Sequence, residues 1–211
     1  MIKAIVFDLD GVIVSTDEQH YLAWQALANK LDIPFDREAN NRFRGVSRMA
    51  CMDILEEIGN KHFTDEQRLA YATEKNEHYR ALLGEMSEKD LDKNVKATLD
   101  ALRARGFLLA IGSSSKNAKF ILEKLGLGDY FDAVSDGNNI TRSKPDPEVF
   151  QKAAEMLSVL PEECLVVEDA LSGVEAATNA NMASATVGDA AKHGRGTYIL
   201  DKFEDLLKVL G

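Results

Sequence analysis

Ile5-Val6-Phe7-Asp8-Leu9-Asp10-Gly11-Val12 runs an apolar strand straight into two carboxylates. A continuous apolar run that ends at a glycine turn reads as a strand buried on both faces, as in parallel sheets covered by helices. Side chains alternate along a strand, so Asp8 and Asp10 are expected on one side of its end and Phe7 and Leu9 on the other. Two carboxylates held that close repel each other unless a cation or a shared proton intervenes. Taken alone, the pair reads equally as a strand-end cap and as a reactive site, and the rest of the chain decides.

Working outward, comparable apolar runs recur at Leu108 to Gly112, Leu165 to Val167, Ala183 to Val187 and Tyr198 to Leu200. Helical patterns lie between them, at about 92 to 105, 116 to 125, 147 to 157, 170 to 180 and 202 to 210. Alternation of this kind predicts an α/β fold with a doubly wound parallel sheet. Residues 16–88 break the alternation. Tyr21, Trp24, Leu27 and Leu31 make one apolar stripe, and Cys51, Ile54, Leu55 and Ile58 another. Thr16-Asp17-Glu18-Gln19 and Thr64-Asp65-Glu66-Gln67 both match a capping box. The expected organisation is a core of residues 1–15 and 89–211, with a helical unit of residues 16–88 inserted after the first strand. An insertion there falls at the carboxyl edge of the sheet, beside the crevice where open α/β folds bind ligands.

In 211 residues, 25 Lys and Arg face 35 Asp and Glu, a net charge of -10 that argues against nucleic acid or an anionic membrane as partner. A phosphorylated ligand would need a locally basic pocket, and Arg42, Arg44 and Arg48 concentrate positive charge in one stretch. The two cysteines, Cys51 and Cys164, form no metal or redox motif and fit a reduced, cytoplasmic setting. The N-terminus does not read as a signal peptide and no stretch approaches a membrane span.

Three further segments sit where the pattern ends a strand or starts a helix. Ser113-Ser114-Ser115-Lys116-Asn117 follows the second apolar run; its hydroxyls and N–H groups suit phosphate oxygens, or a serine simply caps the helix. In Ser143-Lys144-Pro145-Asp146-Pro147, Pro145 keeps Lys144 out of helical geometry, and Asp146 and Pro147 read as N-cap and first residue of the next helix. Lys144 is then a fixed positive charge at a site edge or a surface lysine. Glu168-Asp169 either caps the helix that follows or joins Asp8 and the Asp10 carbonyl as oxygen ligands for Mg2+.

The four segments in this order resemble the haloacid dehalogenase superfamily over the whole chain, which implies a Rossmann-like core with an inserted α-helical cap domain. The resemblance implies Asp8 as nucleophile, Asp10 as acid/base, Ser113 and Lys144 as further catalytic residues, and Asp8, Asp10, Glu168 and Asp169 as the Mg2+ set. Thr16, His20 and Trp24, Gly45-Val46-Ser47-Arg48, Lys75-Asn76, Ser113 to Asn117 and Glu168 to Gly173 are similar to the β-phosphoglucomutase family. That likeness implies catalytic roles for Thr16 and His20. It implies substrate binding by Trp24, Gly45, Val46, Ser47, Arg48, Lys75, Ser114, Ser115, Lys116 and Asn117, with Arg48 on the distal phosphate of a sugar bisphosphate. A guanidinium fork suits such a group. His20 reads either as a partner of Asp10 or as a plain cap-face residue, and Trp24 also lies on the apolar stripe. Ser15 and Ser114 depart from the family pattern, which often has Asp and Ala there. The expected partner is a sugar phosphate, the expected state a cytoplasmic monomer, and the rival activities a sugar-phosphate phosphatase and a non-catalytic phosphate-binding module.

Overall fold

The computed structural model describes residues 1–43 and 47–211, so Arg44, Gly45 and Val46 lie outside the described residues. The chain divides into two compact units, Met1–Ser15 with Met86–Gly211 and Thr16–Glu85. The second crossing falls just before the expected 88/89 boundary, because the 3-10 turn Glu88–Asp90 belongs with the larger unit.

The smaller unit is built from α1 (Asp17–Lys30), α2 (Arg37–Asn41), α3 (Arg48–Gly59) and α4 (Asp65–Gly84). Both apolar stripes face one core, in which Tyr21, Trp24, Leu27, Leu31, Cys51 and Leu55 are buried. The Thr64 capping box forms: Thr64 Oγ1 accepts from Gln67 N–H at 3.2 Å and Gln67 Oε1 from Thr64 N–H at 2.9 Å. The one expected at Thr16 does not. Thr16 caps no N–H with its side chain, because its hydroxyl is bonded to Tyr79 Oη at 2.9 Å.

The larger unit holds, among the described residues, a six-stranded parallel sheet of β1 (Ala4–Phe7), β2 (Leu108–Gly112), β3 (Ala133–Ser135), β4 (Cys164–Glu168), β5 (Ala183–Thr186) and β6 (Tyr198–Ile199). Its order is β3-β2-β1-β4-β5-β6. The helices around it are α5 (Lys93–Ala104), α6 (Ala118–Lys124), α7 (Glu148–Leu157), α8 (Leu171–Asn179), α9 (Gly188–Lys192) and α10 (Leu206–Val209). β1 and β4 are buried along their whole length, which is why each reads as an unbroken apolar run. Strand β3 escapes sequence reading. It is only Ala-Val-Ser, and its register with Ala110 to Gly112 of β2 makes it a strand. β1 pairs with β2 on one side and β4 on the other, so the chain leaves β1 and β4 in opposite directions. Such a switch point opens a crevice at the carboxyl ends of the two strands. Asp8 stands at the end of β1 and Glu168 at the end of β4.

Candidate active site

Asp8 is the first residue past β1, its N–H donating to the Val167 carbonyl of β4 at 2.9 Å. The alternation argument stops there, because β1 ends at Phe7 and Asp10 lies beyond it in a short bridge with Val14. What turns the chain is Gly11, at φ +84°, with the Leu9 carbonyl accepting from Ile13 N–H at 3.0 Å and Val14 N–H at 3.1 Å. A side chain at Gly11 would be strained and would also run into the Asp169 carboxylate. The loop after β1 and the acidic pair after β4 therefore pack backbone against carboxylate.

Lys144 brings the two ends together. Its Nζ donates to Asp8 Oδ1 and, at 2.6 Å, to Glu168 Oε1, and it lies 4.7 Å from the centre of the Phe150 ring. The other oxygen of Glu168 accepts from the Asp169 and Ala170 N–H groups at 2.8 and 2.9 Å, at the start of α8. Both oxygens of Glu168 are thus engaged within the protein: it braces Lys144 and holds the turn of Asp169 and Ala170 that leads into α8. Gly173 is required beside it, since a Cβ there would overlap the Glu168 carboxylate.

Charge in this cluster is unbalanced. Burial pushes the Asp8 carboxyl well above its ordinary range, with Glu168 and Asp10 adding to the rise and Lys144 opposing it. Burial, then Glu168, lifts Asp169 to about 7. Burial disfavours the Lys144 ammonium, but Asp8 and Glu168 outweigh that and its pKa is raised. With Lys144 alone, Asp8 and Asp169 are disposed to hold a proton, and a bound cation would compete with it. Among the described residues no three His, Cys, Asp or Glu side chains are grouped to hold a metal ion. A set of two carboxylates, Asp8 and Asp169, with the Asp10 carbonyl suits Mg2+ better than a full protein cage, because Mg2+ keeps waters and takes phosphate oxygens.

Ser113 is buried at the end of β2, where Gly112 leaves room for the Phe150 ring. Ser113 Oγ accepts from Ser115 N–H at 3.1 Å and Ser115 Oγ from Asn117 N–H at 3.2 Å. Each hydroxyl, used locally as an acceptor, keeps its hydrogen to donate to an anion. Ser114 Oγ is buried with no hydrogen-bond partner, Lys116 is exposed and Asn117 is buried at the start of α6. The helix that was to begin at 116 begins at Ala118, the serine turns having taken up the residues before it.

The helical unit gathers a second set. Lys75 is only 4% exposed; its Nζ donates to His20 Nδ1 at 2.9 Å and lies 4.9 and 4.6 Å from the ring centres of Trp24 and Tyr79. His20 stacks on Tyr79 at 4.0 Å between centroids. An ammonium only donates, so Nδ1 is the acceptor and the proton of neutral His20 sits on Nε2. Burial, then the charges of Lys75 and Arg48, hold its pKa well below 6.5. Ser47 is the N-cap of α3, its Oγ accepting from Ala50 N–H at 3.3 Å, and exposed Arg48 donates to Asn76 Oδ1 at 2.7 Å. Arg42 is less available than its place in the arginine cluster suggested, being paired with Glu57 at 2.6 Å. Tyr79 carries no motif of its own in the sequence, and its place one helical turn after Lys75 on α4 is the signal that points to it. Gly45 and Val46 fall outside the described residues.

Residues 2–181 match the family model of the haloacid dehalogenase-like hydrolases. The chain is 37% identical over 188 residues to a β-phosphoglucomutase of Bacillus subtilis, covering 88% of this chain and 83% of the relative. It is 30% identical to a phosphorylated carbohydrates phosphatase of Thermotoga maritima, covering 85% and 82% of the two chains. Its structure is similar to the crystal structure of a β-phosphoglucomutase from Clostridium difficile, with a TM-score of 0.89, 36% identity and coverage of 98% and 93%.

Proposed function

The chain belongs to the haloacid dehalogenase-like hydrolases, and from that premise we propose that it is a Mg2+-dependent β-phosphoglucomutase. It would interconvert β-D-glucose 1-phosphate and glucose 6-phosphate through an aspartyl-phosphate and glucose 1,6-bisphosphate. The observation that carries this reading is the 37% identity to a β-phosphoglucomutase over most of both chains.

In the proposed reaction an Asp8 carboxylate oxygen attacks phosphorus, the phosphorus–sugar oxygen bond breaks, and Asp10 gives a proton to the departing sugar oxygen. In return, Asp10 takes the proton of the other hydroxyl as that oxygen attacks the aspartyl-phosphate. Lys144 offsets charge on the transferring group, and Ser113 and Ser115 donate to its oxygens. Asp8, Asp169 and the Asp10 carbonyl would hold Mg2+, which when bound would supply electrostatic stabilisation to the phosphoryl oxygens. Glu168 is assigned to hold Lys144 through one oxygen and the turn of Asp169 and Ala170 through the other. His20, with its proton on Nε2, is a donor for a carboxylate or a sugar oxygen, and Arg48 and Lys75 are assigned to the sugar's other phosphate.

A phosphatase acting on sugar phosphates is the second reading, favoured by the 30% identity to a phosphorylated carbohydrates phosphatase. The two separate on products. With β-glucose 1-phosphate, Mg2+ and a trace of the 1,6-bisphosphate, a mutase yields glucose 6-phosphate, and free phosphate as sole product excludes the mutase. Arg48→Ala should cut mutase turnover by about a hundredfold if its guanidinium grips the second phosphate, and barely affect release of phosphate from a monophosphate.

A further inference from the structure

Lys144 reaches Asp8 and Glu168 from a turn that Asp146 N–H closes on the Ser143 carbonyl at 3.1 Å, and side chains beyond that turn fix where it stands. Two side chains hold it. On the arm before Lys144, Glu148 Oε2 accepts from Thr141 N–H at 2.9 Å, Thr141 Oγ1 at 2.9 Å and Arg142 N–H at 2.8 Å. On the arm after it, Asn179 Nδ2 in the last turn of α8 donates to the Pro145 carbonyl at 3.1 Å. Asp146 joins the arms, its carboxylate taking Arg142 Nε at 3.1 Å and Glu148 N–H at 3.0 Å. α7 also carries Phe150, against which the ammonium rests, and α8 starts just after Glu168. The loop is thus fixed to the two helices nearest the groups that Lys144 meets.

We propose that Glu148 and Asn179 are positioning residues that set the Lys144 ammonium against Asp8, the part played by Asp8 resting on the phosphoryl-transfer reading above. A carboxylate taking three donors is a strong anchor, and its place in the first turn of α7 suits the helix dipole. The competing account makes Glu148 merely a helix-start residue. The two differ in what Lys144 has to do with its loss.

The test is a set of variants, Glu148→Ala, Glu148→Gln and Asn179→Ala, each alone and combined with Lys144→Ala, followed by single-turnover phosphoryl transfer and steady-state kinetics. Glu148→Ala should lower kcat by about tenfold to a hundredfold with KM within about threefold, because the error falls on the reacting geometry. Glu148→Gln keeps an acceptor oxygen and should recover most of that loss. Asn179 is exposed, so Asn179→Ala should fold normally and lose about three- to tenfold. In the Lys144→Ala background each should change the rate less than about twofold, since its route of action is gone. Losses that multiply in both backgrounds overturn the proposal. Amide hydrogen exchange gives a readout without turnover: Thr141 and Arg142 should exchange faster in Glu148→Ala and stay as they are in Asn179→Ala. Unchanged exchange in Glu148→Ala overturns the clamp even if the wild-type chain proves inactive, whereas inactivity with accelerated exchange sinks only the catalytic reading.

Discussion

Each compact unit buries a lysine, and the two are held in different ways. Lys144 lies between the carboxylates of Asp8 and Glu168, which cancel its charge. Lys75 has among its partners in the helical unit a neutral imidazole and the faces of Trp24 and Tyr79, which hold a cation without cancelling it. The first arrangement spends its lysine on the protein's own acidic groups. The second sets an imidazole and two aromatic faces around its lysine, contacts an ammonium makes without ion pairing.

Lys144→Ala tests the first arrangement and should have the largest effect. It leaves Asp8 and Glu168 buried without their cation, so stability should fall by about 3 kcal/mol in urea unfolding. Phosphoryl transfer should drop about a thousandfold or more. A variant with normal turnover would show that the ion pairs are structural only. Lys75→Met tests the second. It removes the contacts to His20, Trp24 and Tyr79, so stability should fall by about 1 kcal/mol, while kcat/KM falls about tenfold to a hundredfold from a higher KM. The pKa of His20, followed by NMR, should rise towards 6.5 but not reach it, because burial is the larger cause of its depression and Lys75 the second.

How much of this contrast the amino-acid order discloses depends on distance along the chain. Asp8 and Glu168 are visible as residues at strand ends, because buried parallel strands leave unmistakable apolar runs, and Lys144 as the residue before Pro145 ahead of a helix. Their joint geometry is not visible: Lys144 and Asp8 are 136 residues apart, and only the strand order makes them neighbours. Glu168 reads as a metal ligand or a helix cap, and only the fold shows that one of its oxygens meets Lys144 and the other the N–H groups of Asp169 and Ala170. Thr16 reads as a helix cap until a tyrosine 63 residues away claims its hydroxyl. Strand β3, with three small or polar-flanked residues, has no pattern of its own to read. Local patterns thus disclosed the scaffold, while Thr16 needed a distant partner and β3 a neighbouring strand to be read.

The two clusters should also respond to pH with opposite sign. In the folded, metal-free protein Asp169 titrates at about 7, above its ordinary carboxylate value, so its contribution is intact below about pH 4 and is lost as pH rises through 7. Mg2+ competes with that proton, and should raise Tm more at pH 8 than at pH 5.5, with affinity gaining at most about tenfold per pH unit below 7. His20 is held below 6.5, so the unfolded chain takes the proton first and the helical unit loses stability as pH falls beneath that value. Trp24 is the single tryptophan and lies in the helical unit, so its fluorescence follows that side of the contrast, while exchange at Val166 and Val167 follows the other. The same pH trend in both probes would remove the distinction between the clusters.

The smallest expected effect separates the two jobs of Tyr79. Its ring stacks on His20 and faces Lys75, and its hydroxyl bonds Thr16 at the entrance to α1. Tyr79→Phe keeps the ring and deletes the hydroxyl, so the helical unit should lose about 1 kcal/mol, the usual net worth of a buried hydrogen bond. The pKa of His20 should stay depressed, since burial and Lys75 remain. Combining Tyr79→Phe with Thr16→Val isolates the pair, and a coupling of about 1 kcal/mol is expected. Were Tyr79→Phe instead to release His20 to its ordinary pKa, the hydroxyl would be shaping the electrostatics of Lys75 and His20, and the cluster would depend on Thr16 for its charge as well as for its anchorage.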